Sequence, residues 1–154
     1  SATMGSHLYV CGGFDGSRDV ESAERLDTST GTWEQLPPMR QRRFGAAAVA
    51  QVRTIIVCGG ACTNAVLSSA EAYDTFAQTW TALPEMCARR TDALAASVAG
   101  RLYVFGGRTE SREVDTVECF DPRTSRWQQL QPMAEQRRDH MAVVMQRRPG
   151  RCCY

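Results

Sequence analysis

The sequence predicts an all-β fold built from three copies of one four-stranded antiparallel unit. Three observations carry this. A fixed register of 47 residues relates Gly12-Gly13, Gly59-Gly60 and Gly106-Gly107, and also Trp33, Trp80 and Trp127. Each glycine pair closes a short apolar run of the buried-strand type. The other segments are bounded by turn residues and prolines at the same spacing. Glu24, Glu71 and Glu118, then Asp27, Asp74 and Asp121, then Met39, Met86 and Met133 keep the register without an insertion. A constant period of this size marks one supersecondary unit used repeatedly.

Within a unit the elements follow in order. His7 to Cys11, Thr54 to Cys58 and Arg101 to Phe105 read as core strands that end in the glycine pair. The pair lets the backbone bend, or pass a neighbour more closely than a Cβ would allow. A polar loop follows. Val20 to Asp27, Leu67 to Asp74 and Val114 to Asp121 alternate as a half-buried strand does. Turn chemistry such as Asp27-Thr28-Ser29-Thr30-Gly31 leads into a strand carrying the tryptophan: Thr32 to Leu36, Thr79 to Leu83 and Arg126 to Leu130. Pro37-Pro38, Pro84 and Pro132 end it, because proline cannot donate to a ladder. The small-residue stretches Phe44 to Val52 and Thr91 to Ala99 supply a further strand before the next glycine pair. Four antiparallel strands with short turns describe one propeller blade. The units run over about 1–39, 40–86 and 87–133, with a final strand at 138–146 and a basic, cysteine-containing tail at 147–154.

These residues resemble the kelch family. Its marks are the glycine pair, an aromatic residue near the end of the third strand and a tryptophan after it. Here they are Gly12-Gly13, Leu26 and Trp33; Gly59-Gly60, Tyr73 and Trp80; Gly106-Gly107, Phe120 and Trp127. Leu26 departs mildly from the aromatic preference. Gly12-Gly13-Phe14-Asp15-Gly16 matches a common kelch loop, and Leu36-Pro37-Pro38-Met39 and Leu83-Pro84-Glu85-Met86 match the family's strand ending. The resemblance covers nearly the whole chain and implies a kelch β-propeller. Propellers have about 4–8 blades, so three imply a partial propeller, half of a six-bladed ring. The chain then stands as the C-terminal half of a longer kelch protein, or as a homodimer that closes six blades.

Bulk properties narrow the function. The net charge is +1, which gives no global pull toward nucleic acid or membrane. No apolar run is long enough to span a membrane as a helix. All 18 basic residues are arginine, so the chain offers planar forks suited to carboxylates and phosphates and no lysine for ubiquitin attachment. The seven cysteines lack the paired spacing of a zinc site and read as free thiols in a reducing, cytoplasmic setting. Cys11 and Cys58 share a register position with Phe105, so that position is used as an apolar one. The only histidines, His7 and His140, form no nucleophile–base–acid set. A non-enzymatic module without cofactor or metal is therefore expected.

Arg43, Arg90 and Arg137 share one register position, in the loops joining successive blades. Symmetry gathers them on one face around the central channel, where they suit an acidic or phosphorylated peptide. The other role open to them is to cap strand ends or pair with Asp15, Asp92 or Asp139. Asn64 and Arg108 lie in the loops after the glycine pairs, which differ strongly among units as specificity loops do. The glycine pairs, Trp33, Trp80, Trp127, Glu24, Glu71 and Glu118 recur identically and are assigned to the blade itself: the tryptophans between blades, the glutamates on loop backbone. The resemblance implies protein–protein recognition, as the substrate-recognition part of a BTB–kelch adaptor of a cullin-RING ubiquitin ligase. The alternatives it offers are an actin-binding kelch protein and a kelch-fold enzyme such as a sugar oxidase or epimerase.

Overall fold

The computed structural model describes residues 1–63, 65–142 and 144. They contain no helix and form three four-stranded antiparallel sheets. Blade 1 comprises β1 (Ala2–Met4), β2 (His7–Phe14), β3 (Asp19–Asp27) and β4 (Thr32–Leu36). Blade 2 comprises β5 (Ala47–Gln51), β6 (Thr54–Cys58), β9 (Ala70–Asp74) and β10 (Thr79–Leu83), with a small hairpin, β7 (Ala61–Cys62) and β8 (Ala65–Val66), inserted after its glycine pair. Blade 3 comprises β11 (Leu94–Val98), β12 (Arg101–Phe105), β13 (Val117–Asp121) and β14 (Arg126–Leu130). Each sheet is a meander, and the innermost strands β1, β5 and β11 lie side by side. The three blades form an arc and not a closed ring.

The core lies between blades. Strand β6 shows why its sequence is apolar throughout. Ile55 and Val57 point to blade 1, where they pack with Tyr9, Ala23, Leu36 and Met39. Ile56 and Cys58 point to blade 3, where they pack with Leu102, Val104 and Phe120. A strand covered on both faces needs apolar residues at every position, whereas one with a wet face alternates. Burial pushes the Cys58 thiol up to about 12, and the thiol acts as core.

The tryptophans fix how neighbouring blades sit. Trp80 stands opposite Tyr73 in the ladder with the ring centroids 5.1 Å apart, and its Nε1 donates to the Pro37 carbonyl of the preceding connection at 2.8 Å. Trp127 repeats the geometry on Phe120 and the Pro84 carbonyl at 2.8 Å. Trp33 stands opposite Leu26 on the outer face of blade 1 and is 54% exposed.

Several boundaries differ from the sequence reading. The strands expected from Leu67 and Val114 begin only at Ala70 and Val117, and four of the five residues in each are buried where a half-buried strand was expected, because both of their faces are covered. The stretches expected to be strands from Phe44 and Thr91 begin their ladders only at Ala47 and Leu94. Gly45 and Asp92 take φ of 61° and 55°, which breaks the extended run, so Phe44 and Thr91 make single bridges to Ala61 and Arg108 instead. The expected strand at 138–146 is absent over 138–142, and residues 143, 145–146 and the 147–154 tail lie outside the described residues. Strands β5 and β11 pair with the strand that follows each in the chain, and no described strand follows 138.

Two substitutions test this packing. Trp80→Ala removes a ring that is 8% exposed and is expected to cost about 3–5 kcal/mol in denaturant unfolding. Val52 holds φ 55° in the hairpin between β5 and β6 with 92% of its side chain in water. A β-branched residue is strained there, so Val52→Asn is expected to stabilise the fold by roughly 0.5–1 kcal/mol in the same measurement.

Candidate interaction surface

One rim of the arc gathers two kinds of loop. The connections between blades run over 37–46 and 84–93, residues 131–142 follow blade 3, and the loops after the glycine pairs run from Phe14, Ala61 and Arg108. Backbone bonds interleave them. The first connection reaches back to blade 1 through Gly13 N–H to the Arg43 carbonyl at 2.8 Å, and forward to blade 2 through the Phe44–Ala61 bridge. The second repeats this with Gly60 on Arg90 at 2.9 Å and the Thr91–Arg108 bridge. The Arg137 carbonyl likewise accepts from Gly107 at 2.7 Å.

The glycine pair is explained by this crossing. Gly12, Gly59 and Gly106 all have φ between 55° and 65°. A Cβ on any of them would collide with the carbonyl oxygen of Arg43, Arg90 or Arg137 respectively. Only glycine satisfies both the left-handed backbone and the contact.

The arginines of these connections require a correction. Arg43 and Arg90 do not face a ligand; each is 1% exposed. The Arg43 Nη2 donates to Glu71 Oε1 at 2.7 Å, and its Nη1 donates to the Gly59 carbonyl at 2.7 Å. The Ser69 hydroxyl and carbonyl complete the set at 3.2 Å each. Arg90 repeats this on Glu118 at 2.6 Å, the Gly106 carbonyl at 2.7 Å, and Thr116. The partners are glutamates of the next blade, not Asp15, Asp92 or Asp139. The second carboxylate oxygen of Glu71 accepts from Arg40 N–H at 2.8 Å, and that of Glu118 accepts from Cys87 N–H at 2.6 Å. An arginine whose two Nη groups meet a carboxylate, two carbonyls and a hydroxyl has its charge met inside the protein, with only its Nε left without a partner. Arg137, at the equivalent position after blade 3, is exposed and pairs with Glu135 of its own connection at 3.0 Å.

The remaining candidates divide as follows. Asn64 lies outside the described residues. Arg108 is exposed at the start of the blade 3 loop and makes backbone bridges to Thr91 and Glu113. Around that loop stand four exposed arginines and two exposed glutamates. Arg89 pairs with Glu110 at 3.6 Å and Arg138 with Glu113 at 3.1 Å. Arg108 and Arg112 take no ion pair among the described residues. Arg112 was missed by sequence reading; the signal was its place in the loop richest in arginine. The blade 1 loop is held by Asp15, whose carboxylate accepts from Arg18 N–H at 2.9 Å and from Ser17 N–H and Oγ at 2.8 Å each. These bonds, led by the Arg18 amide, lower the Asp15 pKa to about 2. The order they impose is present above the ordinary carboxylate range and is lost as pH falls through about 2.

Cys62 in β7 and Cys87 in the second connection lie on this rim, the former half-buried and the latter exposed, while Cys11, Cys58 and Cys119 lie in the blade strands, and all five are free thiols. Among the described residues no group of three or more His, Cys, Asp or Glu is placed to hold a metal. Among the described residues there is no helix long and apolar enough to cross a membrane.

The buried pairs are testable. Glu118→Leu leaves the Arg90 guanidinium buried without a counter-charge and is expected to destabilise the fold by about 3–5 kcal/mol. The double variant Arg90→Met with Glu118→Leu is expected to lose clearly less than the two single changes added together, read from urea unfolding as a double-mutant cycle.

The structural marks are those of a known family. The family model described as the Kelch motif matches residues 1–40, 42–86 and 89–134, one match per blade. A search of curated proteins finds no significant match. With nearly the whole chain matched and each repeat folded as a blade, this protein belongs to the kelch-motif family.

Proposed function

We propose that this chain is a protein-recognition module that grips an acidic or phosphorylated segment of a partner on the loop rim. Kelch repeats generally serve as interaction modules, which supports the class. The observation that carries the finer reading is the basic cluster at the blade 3 loop. Arg89 and Arg138 are each held by a glutamate, while Arg108 and Arg112 extend into solvent without an ion pair among the described residues. Two unpaired guanidiniums beside two anchored ones form a fork-rich surface for carboxylates or phosphates. Arg137 borders the same rim through the connection that follows blade 3.

The cellular role we assign is substrate recognition in a BTB–kelch adaptor of a cullin-RING ubiquitin ligase. It rests on resemblance to kelch adaptors, and the free thiols fit the reducing cytoplasm in which such ligases act. The chemistry at the rim is binding and not catalysis.

A library of acidic and phosphoserine peptides tests the surface. The double variant Arg108→Ala with Arg112→Ala is expected to weaken the best binder more than tenfold, as lost charge-assisted bonds of about 1.5–3 kcal/mol each require, with the thermal melt unchanged. Equal affinity for the wild type and the double variant overturns the assignment.

A further inference from the structure

We propose that the end of blade 2 opposite the loop rim is a second interaction surface, an apolar pair formed by Val52 and Phe76 that takes an acidic amphipathic helix of a partner protein. Two turns meet there. The hairpin tip Val52-Arg53 joins β5 to β6, and the turn over 75–78 joins β9 to β10. They are tied together, because the Arg53 carbonyl accepts from Thr75 N–H at 3.1 Å and from the Thr75 hydroxyl at 2.8 Å. Val52 is 92% exposed and Phe76 is 86% exposed. Blade 2 has a blade on each side, so these residues stand in water at the end of a flanked blade and not on a face that a neighbour would cover.

Register positions show that blade 2 departs here from the other two units. The equivalents of Val52 are Gly5 and Ala99, and those of Phe76 are Ser29 and Arg123. All three residues at the first position hold a left-handed backbone, with φ of 58° at Gly5, 55° at Val52 and 51° at Ala99. Glycine takes that conformation freely, and a β-branched residue suits it least. At the second position the other blades carry exposed polar or charged side chains. Blade 2 thus sets a strained valine and an exposed aromatic ring on adjoining tips. Neither belongs to the core, so packing explains neither. Strain retained at an exposed position points to function, and exposed apolar groups that adjoin point to a contact surface.

The neighbouring charges select the partner. The Asp74 carboxylate shapes the turn, accepting from Phe76 N–H at 2.8 Å and from Ala77 N–H at 3.0 Å. Arg53 pairs with it at 3.3 Å from the solvent side: the Arg53 side chain is 66% exposed and that of Asp74 only 27%. On blade 3, Asp121 likewise accepts from Arg123 N–H at 2.9 Å, and Arg123 is exposed. The carboxylates at this end are occupied by their turns, while the guanidiniums face outward. An arriving surface therefore meets apolar groups bordered by arginine, and its complement is an apolar stripe bordered by Asp and Glu. Turns offer no open strand edge, so a partner strand has no ladder to extend. An amphipathic helix brings the required stripe complete.

Phage-displayed amphipathic helices with an apolar stripe flanked by Asp and Glu, panned against the full chain, supply the probe. Fluorescence anisotropy of the best binder reads its affinity. Phe76→Ser, the residue type that blade 1 has at this position, is expected to weaken binding by roughly tenfold or more, as loss of a buried phenyl contact requires, with the thermal melt unchanged. Val52→Asn is expected to weaken binding while raising the melt, and a probe with Lys in place of its acidic residues is expected not to bind. Recovery of no binder overturns the proposal, and so does equal affinity for the wild type and Phe76→Ser. Phe76-dependent binding to phosphatidylcholine–phosphatidylserine vesicles in place of the helix assigns the patch to a lipid surface. A dimer in light scattering that Phe76→Ser dissolves assigns it to a second copy, and either result overturns the proposal. The double variant Arg108→Ala with Arg112→Ala is expected to leave this binding intact, so the two surfaces stand or fall separately.

Discussion

The structure depends on one junction made twice, in which the arginine leaving blade 1 or blade 2 is buried against a glutamate of the next blade. The connection must cross the end of the strand that carries the glycine pair, and this crossing brings its carbonyl onto the second glycine. The crossing is possible because the first glycine has no side chain to strike that carbonyl. Once across, the arginine fork fills acceptors that would otherwise be buried and empty: the glycine carbonyl, the Ser69 or Thr116 oxygens and the glutamate. The carboxylate in turn satisfies the amide at the start of the connection. A buried charge is tolerated only when partnered to this degree. Glycine pair, glutamate and arginine are therefore parts of one device, spread over two blades.

Much of the fold was legible in the sequence because the period makes every element vote three times. Strand identity, the blade unit and the packing role of the tryptophans follow from residue types in register. The strand starts at Ala47 and Leu94 were not legible, because Gly45 and Asp92 break the extended run by backbone conformation, and only Gly45 signals that by type. The role of Arg43 and Arg90 was misread for another reason. Sequence alone places three guanidiniums near one axis, but which way they turn depends on an acceptor set 16 to 28 residues downstream. Their invariance across the units was the clue. The same invariance that assigned Glu71 and Glu118 to the scaffold applied equally to their partners.

The division between constant and variable positions then acquires a physical meaning. Residues that repeat identically build the junctions, and residues that differ occupy the loops after the glycine pairs. These loops can vary because the crossing connections, not the loops, hold the blades in place. The blade 1 loop is ordered by an aspartate, the blade 2 loop by a small hairpin, and the blade 3 loop stands among arginines. A rigid frame with independently ordered loops suits selective recognition.

The burial of β6 on both faces has a consequence for the order in which the molecule comes apart. Each blade touches only its neighbours, so stability is distributed along the chain as in a one-dimensional lattice. Blade 2 has two neighbours, and blades 1 and 3 have one each within the arc. Opening of an outer blade breaks one junction, but opening of the middle blade breaks two. The amides of Thr54–Cys58 and Ala70–Asp74 are therefore expected to exchange slowest. The arc frays from its ends inward, with the middle blade as the last native unit.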